Sequence, residues 1–322
     1  MSAQLRAQSD RRVARSAFAK PRNPGDGFIS DEVFRKFQAL IYSETGIWLA
    51  PHKTALLIGR LAKRLRALRL SSMSEYFTMV SEPNQHYERL LMIDCITTNE
   101  THFFREPRHF EFLAHTAIPL WREEALAGSR ERRIRVWSAG CSSGEEPFSL
   151  AMILLDHFME GAGWRLEIFA TDISTRVLGK ASKGIFPVSR SREVPANYVS
   201  RYLLKGTGEH QGSIKVSPEV QKLVKFERLN LNAESYSISQ PFDVIFLRNV
   251  MIYFDEQVKR KVLTQVERYL SPGGYLFVGH SESLHGLGAN LDLVSPGVYT
   301  NLTGLDQATS HPYGRTTVAS RK

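Results

Sequence analysis

The chain has 322 residues, 42% of them hydrophobic, and a formal net charge of +9, enough for more than one apolar core. No apolar run approaches ~18 residues and no charged-then-apolar leader opens it, so neither a membrane span nor a secretory signal is expected. Cys95 and Cys141 are the two cysteines; they lack metal-ligand spacing and suit a reducing cytosol, so a cytoplasmic protein is expected.

Residues 1–27 carry six Lys or Arg and two Asp among small and breaker residues and are expected to form a disordered basic tail. Asp10 and the Pro/Gly cluster of 21–27 weaken an organelle-targeting reading. A helical domain follows over 28–105. Ser30 suits an N-cap ahead of a helix over 31–43, and 53–69 reads as a longer helix. At ~100° per residue, Leu57, Ile58, Leu61, Leu65 and Leu68 share one stripe, and Arg60, Lys63, Arg64, Arg66 and Arg69 take the rest of the circumference. That cationic ridge is either a solvated face or a dock for an acidic surface, whether nucleic acid or a glutamate-rich helix. A linker helix is expected over 106–130.

The region 131–305 reads as α/β, with 306–322 a flexible tail. A strand over 134–137 runs into Gly140 and Gly144, which let the backbone turn and approach a ligand, and a helix continues after Pro147 at a first-turn position. The small Cys141 suits that turn better than it suits a nucleophile. A dinucleotide would set its pyrophosphate on this helix N-terminus, but Glu145 and Glu146 stand there and favour a cation. S-adenosylmethionine, with a positive sulfonium and a positive amino group, fits the charge pattern. A strand over 167–172 ends in Asp172, where a carboxylate can accept both ribose hydroxyls. A strand at 224–226 leads to Asn230 and Leu231, placed for adenine unless Asn230 is a turn residue. The apolar run 242–247 has the composition of a central parallel strand and ends in Arg248 and Asn249. A helix over 255–269, the Ser271-Pro272-Gly273-Gly274 turn and strands at 275–279 and 298–302 complete the sheet. Between Asp172 and Asn230 lies more chain than one crossover helix needs. An insertion is placed at about 184–226, with two short strands in 202–216 around a glycine-rich turn.

Four blocks then carry a family resemblance: Thr97-Thr98-Asn99-Glu100-Thr101-His102-Phe103-Phe104-Arg105-Glu106, Trp137-Ser138-Ala139-Gly140-Cys141-Ser142-Ser143-Gly144-Glu145-Glu146-Pro147, Leu247-Arg248-Asn249-Val250-Met251-Ile252-Tyr253-Phe254 and Gly279-His280-Ser281-Glu282-Ser283. In this order, over about 28–302, the chain resembles the CheR family of chemotaxis-receptor methyltransferases. The resemblance implies a Rossmann-like class I S-adenosylmethionine-dependent methyltransferase sheet with a small N-terminal all-helical domain and an inserted antiparallel β-subdomain. It also implies a bacterial signal-transduction enzyme that esterifies glutamate side chains in the cytoplasmic helical bundle of chemoreceptors. Carried over by position, the cofactor residues are Asn99, Thr101, Arg105, Glu145, Asp172, Asn230, Leu231, Arg248 and Asn249. Glu145 is preferred to Glu146 as the nearer to the turn. Arg105 and Tyr253 are the catalytic candidates: a guanidinium can orient a carboxylate, and a phenol can hold the acceptor oxygen. The bland alternatives are an interdomain salt bridge and a core aromatic. His102 and His280 are assigned structural roles and no metal is expected. In some members of the family the β-subdomain binds a short peptide at the receptor C-terminus by strand addition; the alternative is a plain covering hairpin. The resemblance favours a receptor helix as the ridge's partner, and a monomer is expected.

A nucleic-acid methyltransferase is the competing reading, since the net charge would suit one. Against it, the position after the fourth strand reads Arg248-Asn249-Val250-Met251 instead of an Asn- or Asp-Pro-Pro-aromatic loop or a covalent cysteine. The basic helix also lacks the interleaved aromatics of a single-strand platform. An inactive methyltransferase-fold scaffold is the third reading, which failure to bind S-adenosylhomocysteine would support.

Overall fold

The computed structural model describes residues 29–158 and 163–301; the tails assigned to 1–27 and 306–322 lie outside them. Residues 29–40 with Leu49–Ile96 form one compact unit, and Ile41–Trp48 with 97–301 form a second. No helix among the described residues is long and apolar enough to cross a membrane.

Four helices make the first unit: α1 (Asp31–Thr45, its last turn counted with the second unit), α2 (Thr54–Leu68), α3 (Met73–Ser81) and α4 (His86–Ile96). Ser30 caps α1, its Oγ accepting the Val33 N–H at 3.3 Å. Leu57, Leu61 and Leu65 of α2 are buried at i, i+4, i+8, as the stripe predicts, while Ile58 and Leu68 are half-buried. The ridge is smaller than expected. Glu88 of α4 is buried and accepts from Arg64 Nε and Nη2 at 2.8 and 2.5 Å and from the Tyr76 hydroxyl at 2.8 Å. Arg60 donates to the Ile96 carbonyl. A buried carboxylate and a helix-terminal carbonyl both require donors, so two of the five cations turn inward, leaving Lys63, Arg66 and Arg69 exposed.

The second unit opens with α5 (Pro107–Phe112), a π turn over Leu113–Ala117 and α6 (Ile118–Leu126). This stretch is a layer of the core and not a linker, because Phe110, Phe112, Leu113, Ile118 and Trp121 pack with the sheet. There follow β1 (Arg133–Ala139), α7 (Glu145–His157), β2 (Arg165–Asp172), α8 (Thr175–Ala181), β3 (Ile185–Pro187), α9 (Ala196–Tyr202), β4 (Leu203–Lys205), β5 (Ser213–Val216), α10 (Pro218–Lys222), β6 (Val224–Arg228), β7 (Phe242–Leu247), α11 (Glu256–Glu267), β8 (Leu270–Val278), β9 (Asp292–Ser295) and β10 (Val298–Thr300). The main sheet runs β6-β2-β1-β7-β8-β10-β9, parallel through β8 and antiparallel beyond it. It is the expected Rossmann-like sheet, doubly wound from β1 outward.

Strand alternation explains why its central strands read as apolar on both faces. Val136, Val244, Phe246, Tyr275 and Phe277 enter one core with α7 and the helices before β1, whereas Trp137, Ala139, Ile245, Leu247, Leu276 and Val278 enter the other with α11. The insertion is a three-stranded antiparallel sheet, β3-β5-β4. It ends before Val224, since β6 pairs with β2 in the main sheet, so the expected limit of 226 is too late. The helical domain likewise ends near Ile96 and not at 105, because the segment after it is hydrogen-bonded to the second unit.

Candidate functional site

In an open parallel sheet the ligand crevice lies beyond the carboxyl ends of the strands, where the order reverses. A cavity of about 250 Å³ occupies that place at the ends of β1, β2 and β7, walled wholly by the second unit. Gly140 (φ +86°) makes the turn after β1, and a Cβ there would lie 2.4 Å from Val250 Cγ2. Glycine is therefore required for both backbone conformation and space.

Asp172 ends β2 and is buried. Its Oδ2 accepts the Ser142 N–H and its Oδ1 the Ser174 N–H, both at 2.9 Å. Backbone amides thereby fix the carboxylate at the cavity wall, and a carboxylate presents about four acceptor sites in all. Leu231 is buried in the wall. Asn230 lines it too, but its Nδ2 donates to the Glu44 carbonyl at 2.7 Å and its Oδ1 accepts the Asn232 N–H at 3.0 Å. The turn reading describes this side chain, which also holds the chain at 44.

The two glutamates that open α7 face different ways. Glu146 lines the cavity, with Oε1 accepting from Ser138 Oγ at 2.7 Å and Oε2 lying 3.4 Å from Arg248 Nη1. Burial raises its carboxyl above the ordinary range and Arg248 opposes the shift. Glu145, the sequence's choice, is 2% exposed and outside the wall. It accepts from Ser143 Oγ at 2.7 Å and lies 4.0 Å from Arg190 Nη2. Successive helix residues diverge by ~100°, so nearness to the turn does not decide which of the pair faces the ligand.

Arg248 and Asn249 both reach the cavity from the end of β7. The Arg248 side chain, almost fully buried, lies 3.2 Å from Glu106 Oε2 and donates to the Arg105 carbonyl, with Phe110 and Phe246 about 5.5 and 5.4 Å from the guanidinium. Asn249 is left-handed (φ 58°). Its N–H donates to Glu282 Oε2 at 2.7 Å, as does the Gly279 N–H at 2.7 Å, and the Ile252 N–H donates to Oε1 at 3.2 Å. Glu282 therefore staples the loop that carries Asn249 and Tyr253. The sequence singled out its motif but gave it no role, and two of its three partners lie 33 and 30 positions away.

Asn99, Thr101 and Arg105 form another wall. Ser142 Oγ donates to the Asn99 carbonyl at 3.1 Å, the Phe104 N–H donates to Ser149 Oγ at 3.0 Å, and Arg105 Nη1 donates to the Glu100 carbonyl at 3.0 Å. Tyr253 lines the cavity as well, its carbonyl accepting the Trp48 N–H at 2.9 Å. All the site residues drawn from the sequence except Glu145 thus meet in one cavity. Glu106, His109 and His280 are the one group among the described residues with metal-ligand proximity. Glu106 is already engaged there by Arg248 and by Asn249 Nδ2 at 3.3 Å, and burial beside Arg248 takes His109 down to about 4, neutral at pH 7.

The cavity suits S-adenosylmethionine by these observations: Asp172 is fixed at its wall where a diol can reach it, Glu146 supplies partly buried negative charge for a cation, and the first turn of α7 carries carboxylates where a pyrophosphate would otherwise sit. Comparison with known proteins agrees. The family described as "CheR methyltransferase, all-alpha domain" matches residues 32–97, and "CheR methyltransferase, SAM binding domain" matches 99–298. The chain is similar to the chemotaxis protein methyltransferase of Escherichia coli K12, 41% identical over 84% of this chain and 91% of that one. The chemotaxis protein methyltransferases of Salmonella typhimurium (40% identical, 84% of this chain and 90% of that one) and Borreliella burgdorferi (37%, 84% and 93%) are similar as well.

Proposed function

The chain belongs to the CheR family of S-adenosylmethionine-dependent methyltransferases, and from that premise we propose that it converts glutamate side chains of bacterial chemoreceptors to methyl esters, in the receptors' cytoplasmic helical bundle and as a cytoplasmic monomer. The observation that carries the reading is one cavity holding Asp172, Glu146, Arg248, Asn249 and Tyr253 at the ends of three parallel strands. When bound, S-adenosylmethionine supplies an electrophilic methyl group on a sulfonium.

The protein's own residues have a limited task. A glutamate carboxylate, with an ordinary pKa of about 4.3, is already ionised at neutral pH, so no general base is required. Rate then comes from positioning and from exclusion of water as opposite charges meet. Asp172 holds the ribose, and Glu146 meets positive charge from the cofactor. Arg105, half-buried at the cavity wall, orients the incoming carboxylate through its free guanidinium edge, and Tyr253 contributes a phenol at the same opening. Glu282 acts one step removed, fixing the loop on which Tyr253 stands. Binding of a receptor C-terminal peptide at the β3-β5-β4 sheet belongs to the same proposal, supported by its three short antiparallel strands with exposed Leu204.

Radiolabelled S-adenosylmethionine incubated with the protein and chemoreceptor membranes tests the reading. Label should enter receptor protein and be released as methanol by mild alkali. Alkali-stable label, or label in nucleic acid, would overturn it.

A further inference from the structure

The β-insertion holds more than its own hairpins. Between β3 and α9, a 3-10 turn over Val188–Glu193 faces the segment that walls the cavity. Glu193 Oε2 accepts the Phe103 N–H at 3.1 Å, and Arg190 Nη1 donates to the Thr101 carbonyl at 3.1 Å and to Glu193 Oε1 at 2.8 Å. Arg190 Nη2 also lies 4.0 Å from buried Glu145. Glu145 in turn takes the Ser143 hydroxyl, and its carbonyl takes the Ser149 hydroxyl, whose oxygen accepts the Phe104 N–H. Aromatic packing runs alongside: Phe103 meets Phe186 of β3 edge-on at 4.9 Å, and Phe104 stacks on Tyr198 of α9 at 5.6 Å. Two consecutive side chains and two backbone groups of the 101–104 segment are thus seated on the insertion, while Thr101 and Arg105 on either side face the cavity.

We propose that Arg190 and Glu193 are positioning residues that couple the β-insertion to the cofactor cavity by clamping the 101–104 segment between the insertion and the start of α7. On this basis Glu145 is an anchor for Arg190 and not a cofactor ligand. Coupling of this kind is reciprocal: a ligand that needs the wall in place stabilises the insertion, and an insertion that loosens weakens the ligand. The inference rests on the cavity being the S-adenosylmethionine site.

The test uses the full chain with S-adenosylhomocysteine as ligand, comparing wild type with Arg190→Ala, Glu193→Ala and the double variant. Calorimetry should show each single variant about tenfold weaker, with the double variant little weaker again because both act through one network. Hydrogen exchange of 185–216 should slow on adding the ligand to wild type and not to the variants. A purely structural pair would lower thermal stability and leave both readouts intact, so affinity within about twofold of wild type, or unchanged exchange of 185–216 in wild type, overturns the proposal. Glu193→Gln keeps the shape of the side chain and carries the same readouts should the alanine variants fail to fold. Absence of binding by wild type would instead overturn the cofactor reading beneath it.

Discussion

Asp172→Ala should weaken the cofactor and loosen the loop that receives it, by separable amounts. A carboxylate holding two ribose hydroxyls makes two charge-assisted hydrogen bonds of about 1.5–3 kcal/mol each. Their loss raises Kd about 100-fold or more. The same carboxylate accepts the Ser142 and Ser174 N–H groups at 2.9 Å. Removing it leaves both amides without that acceptor, at about 1–3 kcal/mol each, and Tm should fall by roughly 5 °C or more. Asp172→Asn retains one acceptor oxygen and should lie between wild type and alanine in both measurements. Calorimetric titration with S-adenosylhomocysteine and thermal melts of the three proteins provide the comparison. A lowered Tm with Kd unchanged within about threefold would make Asp172 a loop anchor alone and remove it from the cofactor site.

Glu146→Gln should bind S-adenosylhomocysteine more weakly at neutral pH and with less pH dependence. Burial raises the Glu146 carboxyl, and the ammonium group of S-adenosylhomocysteine favours its ionised form, so wild-type affinity should rise as pH climbs through that raised pKa and fall below it; titrations between about pH 5 and 8 that show equal slopes for both proteins would contradict this. Glu282→Gln replaces a carboxylate that accepts three backbone N–H groups with an amide that has one acceptor oxygen, and steady-state assays should show about a tenfold loss of turnover with a smaller change in cofactor affinity. Lys63→Glu with Arg66→Glu, both exposed on α2, should slow receptor methylation at low salt and leave cofactor affinity intact, with the deficit shrinking as salt shortens the Debye length from about 10 Å at 0.1 M. Equal rates for this double variant and wild type would make the remaining ridge a solvated face.

The central sheet was legible because its strands are buried on both faces: the β7 sequence is apolar at five of its six positions and lies between two cores. The glycine turn was legible for a similar reason, since left-handed backbone and close approach leave few residue choices at 140 and 144. Two short edge strands were not, whereas β4 was betrayed by the glycine-rich turn that follows it. β3 and β9 have three and four residues, too few for a period to show. The α2 stripe was readable from spacing, but Arg64 finds Glu88 24 positions later, and no local pattern distinguishes a solvated arginine from one that serves a distant carboxylate. Glu146, Glu282 and Glu193 eluded assignment in the same way, because each acquires its role from partners that only the folded chain brings near.

The most direct test of receptor glutamate methylation is to locate the transferred methyl group on the receptor. Receptor cytoplasmic fragment, incubated with the protein and S-adenosylmethionine, is digested near neutral pH and sequenced by tandem mass spectrometry. Methyl groups are expected on glutamate side chains of the helical bundle and should be lost on mild alkaline treatment. Methylation confined to lysine, arginine or chain termini would contradict glutamate esterification.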